Sequence, residues 1–140
     1  MTKTVSDCCD RALQRLAILV GGESADTADA EIARSAFEGL VNGWLADGLS
    51  VTNSAGTAVV LADYALADAF PISEVHFEGV AAILAVTISD DFEVPPKPLV
   101  LKDASRGEQR IYAAFMPSMV TKVDRMLNRL DNSLLWPSQD

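Results

Sequence analysis

Apolar residues recur along this chain with a helical period, in four blocks separated by polar, glycine-rich or proline-rich breaks. In the first, Thr4 and Asp7 stand at the spacing of a capping box, and Cys9, Ala12, Leu13, Leu16 and Val20 follow on one face until Gly21-Gly22 interrupts. In the second, Asp26 or Thr27 caps a helix whose first turn carries Asp29 and Glu31, where negative charge suits the helix dipole. Its stripe is Ala33, Ala36, Phe37, Leu40, Val41, Trp44 and Leu45, and Gly48 ends it. The third opens at Ser73 as N-cap, with Ile72 and Phe77 placed as a hydrophobic staple. Through Val80, Ile83, Leu84 and Ile88 it is apolar nearly all round, which predicts the centre of the core, and "SDDFEVPPKP" stops it. The fourth starts at Pro98, tolerated at a first helical position, and runs through Val100, Leu101, Ala104, Gly107, Ile111 and Phe115 to Pro117.

The period is lost over 49–63, "LSVTNSAGTAVVLAD", where Val, Thr and Ser surround an Asn53–Gly56 turn. That composition predicts a β-hairpin or an extended arm, and an isolated hairpin is too weak to stand without something to lean on. Beyond Pro117, Met119, Val120, Val123, Leu127, Leu130 and Leu134 keep helical spacing, with Lys122, Arg125 and Arg129 between them. The segment "LDNSLLWPSQD" then offers Leu134, Leu135 and Trp136 with little chain to cover them, so it calls for a partner. The expected fold is mainly α: a small bundle of about four helices, a β-prone hairpin or arm between helices two and three, and an extended or helical C-terminal tail. The bundle is assigned to 1–117, including the arm at 49–71, and the tail to 118–140.

Composition narrows the functions available. With 140 residues, 49% of them hydrophobic, the chain has material for one core. Twenty acidic against 11 basic residues leave a net charge of -9, which argues against wrapping nucleic acid through its phosphates and against an anionic membrane as partner. The acid is concentrated in 1–100, whereas 101–140 holds six Lys or Arg against five Asp or Glu. Adjacent Cys8 and Cys9 are ill placed to form a disulfide with each other and imply reduced thiols, and without a CxxC or a histidine partner they do not make a zinc site. The N-terminal "MTKTVSDCCDRALQRLAILVGG" is interrupted by charge and reads as neither signal peptide nor membrane span.

Catalytic chemistry is thinly represented. His76 is the one histidine and has no companion at a useful spacing, and Asp90-Asp91 reads as a solvated turn after a helix. There is no Walker loop, nucleophile elbow or GxGxxG, and the "GGES" at 21–24 is a plain loop, so no enzyme and no cofactor is expected. One feature is costly: Gly39 and Gly43 lie inside the second helix beside Trp44, each roughly 1 kcal/mol worse than alanine. They are either glycines on a solvent face or a flat patch that lets another backbone approach, within the bundle or across a subunit boundary.

The order of these blocks resembles the head-to-tail adaptor proteins of tailed bacteriophages, also called head-completion or connector proteins, including the tail accessory factor of short-tailed phages. The resemblance rests on Ala12-Leu13 with Leu16, on Trp44 with Asp47-Gly48, on Asp90-Asp91-Phe92, and on Met116-Pro117-Ser118, and covers roughly residues 5–118. The chain departs from that family in its long β-like linker at 49–71 and in the helical period of its tail. What the resemblance implies is a virion protein of the neck, made in the host cytoplasm, forming a homo-oligomeric ring, commonly a dodecamer, beneath the portal protein. Such a ring closes the head after DNA packaging, continues the DNA channel without sequence-specific binding, and receives the tail or a nozzle or stopper protein.

On that reading the tail docks in the portal, with Leu130, Leu134, Leu135 and Trp136 as apolar anchors and Lys122, Arg125 and Arg129 as rim charges. Gly39, Gly43 and Trp44 with Val51, Val59 and Val60 of the arm would pack protomer against protomer. Two other classes remain: an acidic helical interaction module that binds a single protein partner, and a hydrolase built on His76, Asp90 and Asp91.

Overall fold

A computed structural model describes residues 2–116 of the chain. Among the described residues four α-helices form a small helical bundle: α1 (Val5–Arg15), α2 (Thr27–Ala46), α3 (Phe77–Ile88) and α4 (Pro98–Phe115). The capping box opens α1 as expected, with Asp7 N donating to Thr4 Oγ1 at 3.2 Å and Thr4 N donating to Asp7 Oδ2 at 3.0 Å. The helix stops well before Gly21, because Ala17 turns left-handed at φ 61° and lets Ile18 N bond Leu13 O at 3.0 Å. Val20 therefore leaves the stripe and is 69% exposed, which corrects its expected burial.

A left-handed alanine costs about 1 kcal/mol that glycine avoids, against a smaller loss from the freer unfolded chain. Ala17→Gly is expected to raise the melting temperature by roughly 2 °C. A fall in Tm measured by calorimetry would show that the turn at Ala17 is not left-handed.

Asp26 caps α2, accepting from Thr27 N at 2.9 Å, and Ala30, Ala33, Phe37, Val41 and Trp44 bury one face at helical spacing. Its end is the same closure with the right residue in place: Gly48 at φ 92°, with Leu49 N bonded to Trp44 O at 3.1 Å. α3 is central, as its all-round apolarity requires: Phe77, Val80, Ala81, Ala82, Ile83, Leu84, Ala85 and Ile88 are all buried, and α1, α2 and α4 all pack against it. A 3-10 turn at Glu74–His76 precedes it, so Ser73 serves through its carbonyl, which accepts from His76 N at 3.0 Å; its hydroxyl makes no cap bond. On α4, Val100, Ala104, Gly107, Ile111 and Phe115 are buried, whereas Leu101 stays 46% exposed on the flank of the stripe.

The crossing of α3 and α4 is made by glycines the sequence did not single out as a pair. A Cβ on Gly107 would sit 2.7 Å from Gly79 Cα, and one on Gly79 would sit 3.0 Å from Gly107 Cα, so the two backbones touch.

Segment 49–71 contains no strand among the described residues, only isolated bridges pairing Thr52 with Ala58 and Thr4 with Ala69. The expected turn is present, organised by Asn53 Oδ1 accepting from Ala55 N and Thr57 N, both at 2.9 Å. What the segment leans on is its own chain. Leu49 and Val51 plug into the core, Tyr64 packs edge-on to Phe37 with ring centroids 5.8 Å apart, and Phe70 bridges Phe37 to Phe77.

The polar flank of α2 holds the same segment by its backbone. Arg34 Nη1 donates to Tyr64 O at 2.9 Å, Tyr64 N donates to Glu38 Oε1 at 2.9 Å, and Asn42 exchanges two longer bonds with Ala62. Three polar side chains four residues apart thus pair backbone groups that have no sheet partner.

Candidate functional site

A groove of about 330 Å³ lies where the 3-10 turn and the start of α3 meet the middle of α4 and the end of α1. α4 brings Arg106 and Arg110 to it, four residues apart, and Lys102 continues the same row one turn earlier. Arg15 reaches in from α1 and is ion-paired with Asp103, while its Nε is buried without a partner. Glu78, on the opposite wall, is engaged by Arg11 Nε at 3.1 Å. Among the described residues Arg106 and Arg110 have no carboxylate partner, so the groove keeps two uncompensated guanidiniums in a chain whose net charge is -9.

His76 lines this groove, stacked edge-on against Phe115 with centroids 5.1 Å apart. Burial lowers its pKa from the ordinary imidazole value, and the Arg110 charge lowers it further. Asp90 and Asp91 follow the other end of α3, and twelve helical residues separate them from His76 by about 18 Å. The three residues of the hydrolase alternative therefore do not share a site.

The thiols offer no nucleophile. Burial raises the Cys8 pKa, with the neighbouring Cys9 adding to it, and pushes Cys9 up to about 12, where Asp10 adds to the rise and Arg34 opposes it. What the groove can do chemically is hold an anion, through two charge-assisted hydrogen-bond forks beside an exposed apolar Val75.

The residues expected to pack protomer against protomer are divided by the structure. Trp44 is 5% exposed and Val51 1%, both within the core of their own chain, and Val59 is half-buried against it. Those side chains are engaged within their own chain, whereas Val60 and Leu61 at the middle of the arm stay exposed. Gly39 and Gly43 are exposed on α2, with no atom within 4 Å of a Cβ built on either, and Val60 is 70% exposed. With Ala36 and Ala46, and with Ile32 at the amino end, the glycines form an open stripe at alternating steps of three and four. Lys122, Arg125, Arg129, Leu130, Leu134, Leu135 and Trp136, expected to dock in a portal, lie outside the described residues.

The sequence reading missed the basic groove. Its signal was the four-residue spacing of Lys102, Arg106 and Arg110 in an acidic chain, visible once α4 is fixed as a helix. Among the described residues no helix is long and apolar enough to cross a membrane. No protein-family model matches the chain, and no curated protein matches it in sequence.

Proposed function

We infer that the protein is a structural head-to-tail adaptor of a tailed-phage virion, forming a ring beneath the portal that closes the packaged head and receives the tail component. The observation that carries this reading is the position of the motifs behind the resemblance. Trp44 with Asp47-Gly48 closes α2, Asp90-Asp91-Phe92 follows the Ser89 cap of α3, and Met116 follows α4, so three of the four motifs stand at helix ends, while Ala12-Leu13 lies on the buried face of α1. Motifs that coincide with element boundaries fix the order and spacing of the bundle, whereas motifs scattered through helix faces would carry only composition.

The open stripe around Gly39 and Gly43 supports self-packing, since small residues let a second helix approach closely. The acidic body suits a lumen through which DNA passes without sticking. Residues 118–140 are the portal-docking segment, with Leu130, Leu134, Leu135 and Trp136 as anchors.

The test is mass photometry of the full chain, and of a chain ending at Ser118, each mixed with the portal ring encoded in the same genome. Binding of a ring of copies by the full chain, lost on truncation, is the expected result, and Gly43→Leu should impair ring formation while helicity measured by circular dichroism is kept. No portal binding by the full chain overturns the reading. The second reading, a module for one protein partner, is favoured by the basic groove at Arg106 and Arg110 and predicts a 1:1 complex in place of a ring.

A further inference from the structure

Five arginines lie among the described residues, and three are matched within the chain: Arg11 with Glu78, Arg15 with Asp103, and Arg34 with Glu31 and Glu38. The two left over, Arg106 and Arg110, line one groove. The chain has acid in excess, so their isolation is a matter of geometry: both carboxylates that border the groove, Glu78 and Asp103, are already engaged by Arg11 and Arg15. Two exposed guanidiniums one helical turn apart make a fork that accepts a pair of carboxylates about 6 Å from each other.

The complementary group is on the same molecule, out of its own reach. Asp90, Asp91 and Glu93 are exposed, and their side chains find no donor among the described residues. They are presented on a firm turn, with Phe92 N bonded to Ile88 O at 3.3 Å, Glu93 N to Asp90 O at 3.2 Å and Val94 N to Ser89 O at 3.1 Å. Glu93 is held at φ 53°, and Phe92 and Val94 pack against the core on either side of it. This turn also borders the open α2 stripe: Asp91 shares a shallow depression with Ile32, Ser35 and Ala36. Since the groove lies at the amino end of α3 and the turn at its carboxyl end, about 18 Å apart, one copy cannot satisfy both.

We propose that the Arg106–Arg110 groove of one copy seats the Asp90–Glu93 turn of a second copy. Groove and turn are different patches, so the contact is heterologous and, repeated head to tail, closes into a ring or runs on as a filament. It places the α2 stripe, which the turn adjoins, at the same boundary. The closed ring rests on the adaptor reading; the pairing of groove with turn does not.

Two charge reversals test it by sedimentation velocity. The full chain is expected to self-associate at low ionic strength and to dissociate as salt is raised, because exposed pairs are screened over about 8 Å at physiological salt. Arg106→Glu with Arg110→Glu, and separately Asp90→Lys with Asp91→Lys and Glu93→Lys, should each weaken self-association by roughly tenfold or more, since like charges then face each other. Mixing the two variants should restore association, because each groove again meets a turn of opposite charge; folding failure cannot mimic that rescue.

A wild-type chain that stays monomeric at low salt, variants that associate as well as the wild type, or a mixture that fails to recover would each overturn the pairing. Portal rings that form normally with either variant sink the pairing and leave the adaptor reading intact. Salt-sensitive, swappable self-association without portal binding does the reverse.

Discussion

Replacing Gly107 by alanine is expected to lower stability by about 2 kcal/mol, whereas the same replacement at Gly43 raises it by about 1 kcal/mol. Both glycines lie inside helices, and both replacements gain the better intrinsic propensity of alanine. The sign is set by what the new methyl meets. At Gly43 it meets nothing within 4 Å. At Gly107 it would stand 2.7 Å from the Cα, 3.0 Å from the carbonyl oxygen and 3.1 Å from the carbonyl carbon of Gly79, and these are backbone atoms that cannot rotate aside. α3 and α4 must then separate, which loosens the packing of Ile111 and Phe115 as well.

The measurement is a pair of urea unfolding curves for each variant, read at constant m-value so that the midpoint shift reports stability. In thermal terms the two variants diverge by roughly 10 °C. A Gly107→Ala protein as stable as Gly43→Ala would mean that the helices do not touch at this crossing. Gly43→Ala serves a second purpose. A monomer made more stable yet deficient in ring formation locates the use of an otherwise unfavourable glycine in assembly.

How much of this was legible in the sequence follows from how local each cause is. The capping box at Thr4 and Asp7, the Asp26 cap, the Gly48 closure and the Pro98 start are decided by residues within one turn of each other, and they stand where the pattern placed them. The central place of α3 was legible because a helix apolar on all sides has nowhere else to go. The early end of α1 was not, since Ala17 takes a conformation that the sequence offers to Gly21 or Gly22 at no cost.

The remaining misses are tertiary. Spacing within α2 made Gly39 and Gly43 conspicuous, but the close approach is at Gly79 and Gly107, and nothing local announces that two helices will cross there. Arg34, Glu38 and Asn42 lie off the apolar stripe of α2, and nothing within the helix announces that they hold the backbone of residues 62–64. The same limit hid the candidate site. The spacing of Arg106 and Arg110 is visible in the chain, but their lack of a partner depends on Glu78 and Asp103 being engaged from α1.

The β-prone segment gives the second large effect. Phe37→Ala is expected to cost about 4 kcal/mol, because a fully buried phenyl ring is removed and leaves a cavity behind. The ring touches the second half of the segment that follows α2, meeting Tyr64 edge-on at 5.8 Å and Phe70 at 6.0 Å, while Phe70 in turn meets Phe77 at 5.3 Å. Its loss therefore acts on residues 62–72 before it acts on the helices. Hydrogen exchange should show this order: the amide of Tyr64, bonded to Glu38, and that of Phe70, bonded to Lys3 O, lose protection at a denaturant concentration where the amides of α3 keep theirs. Simultaneous loss of protection everywhere would mean that the segment is part of a single cooperative unit with α3. Retained protection at Tyr64 would mean that the Arg34, Glu38 and Asn42 bonds hold it without the aromatic cluster. In the expected case the segment is a strap closed over α2 by its own chain, and it leaves the glycine stripe beside the acidic turn uncovered.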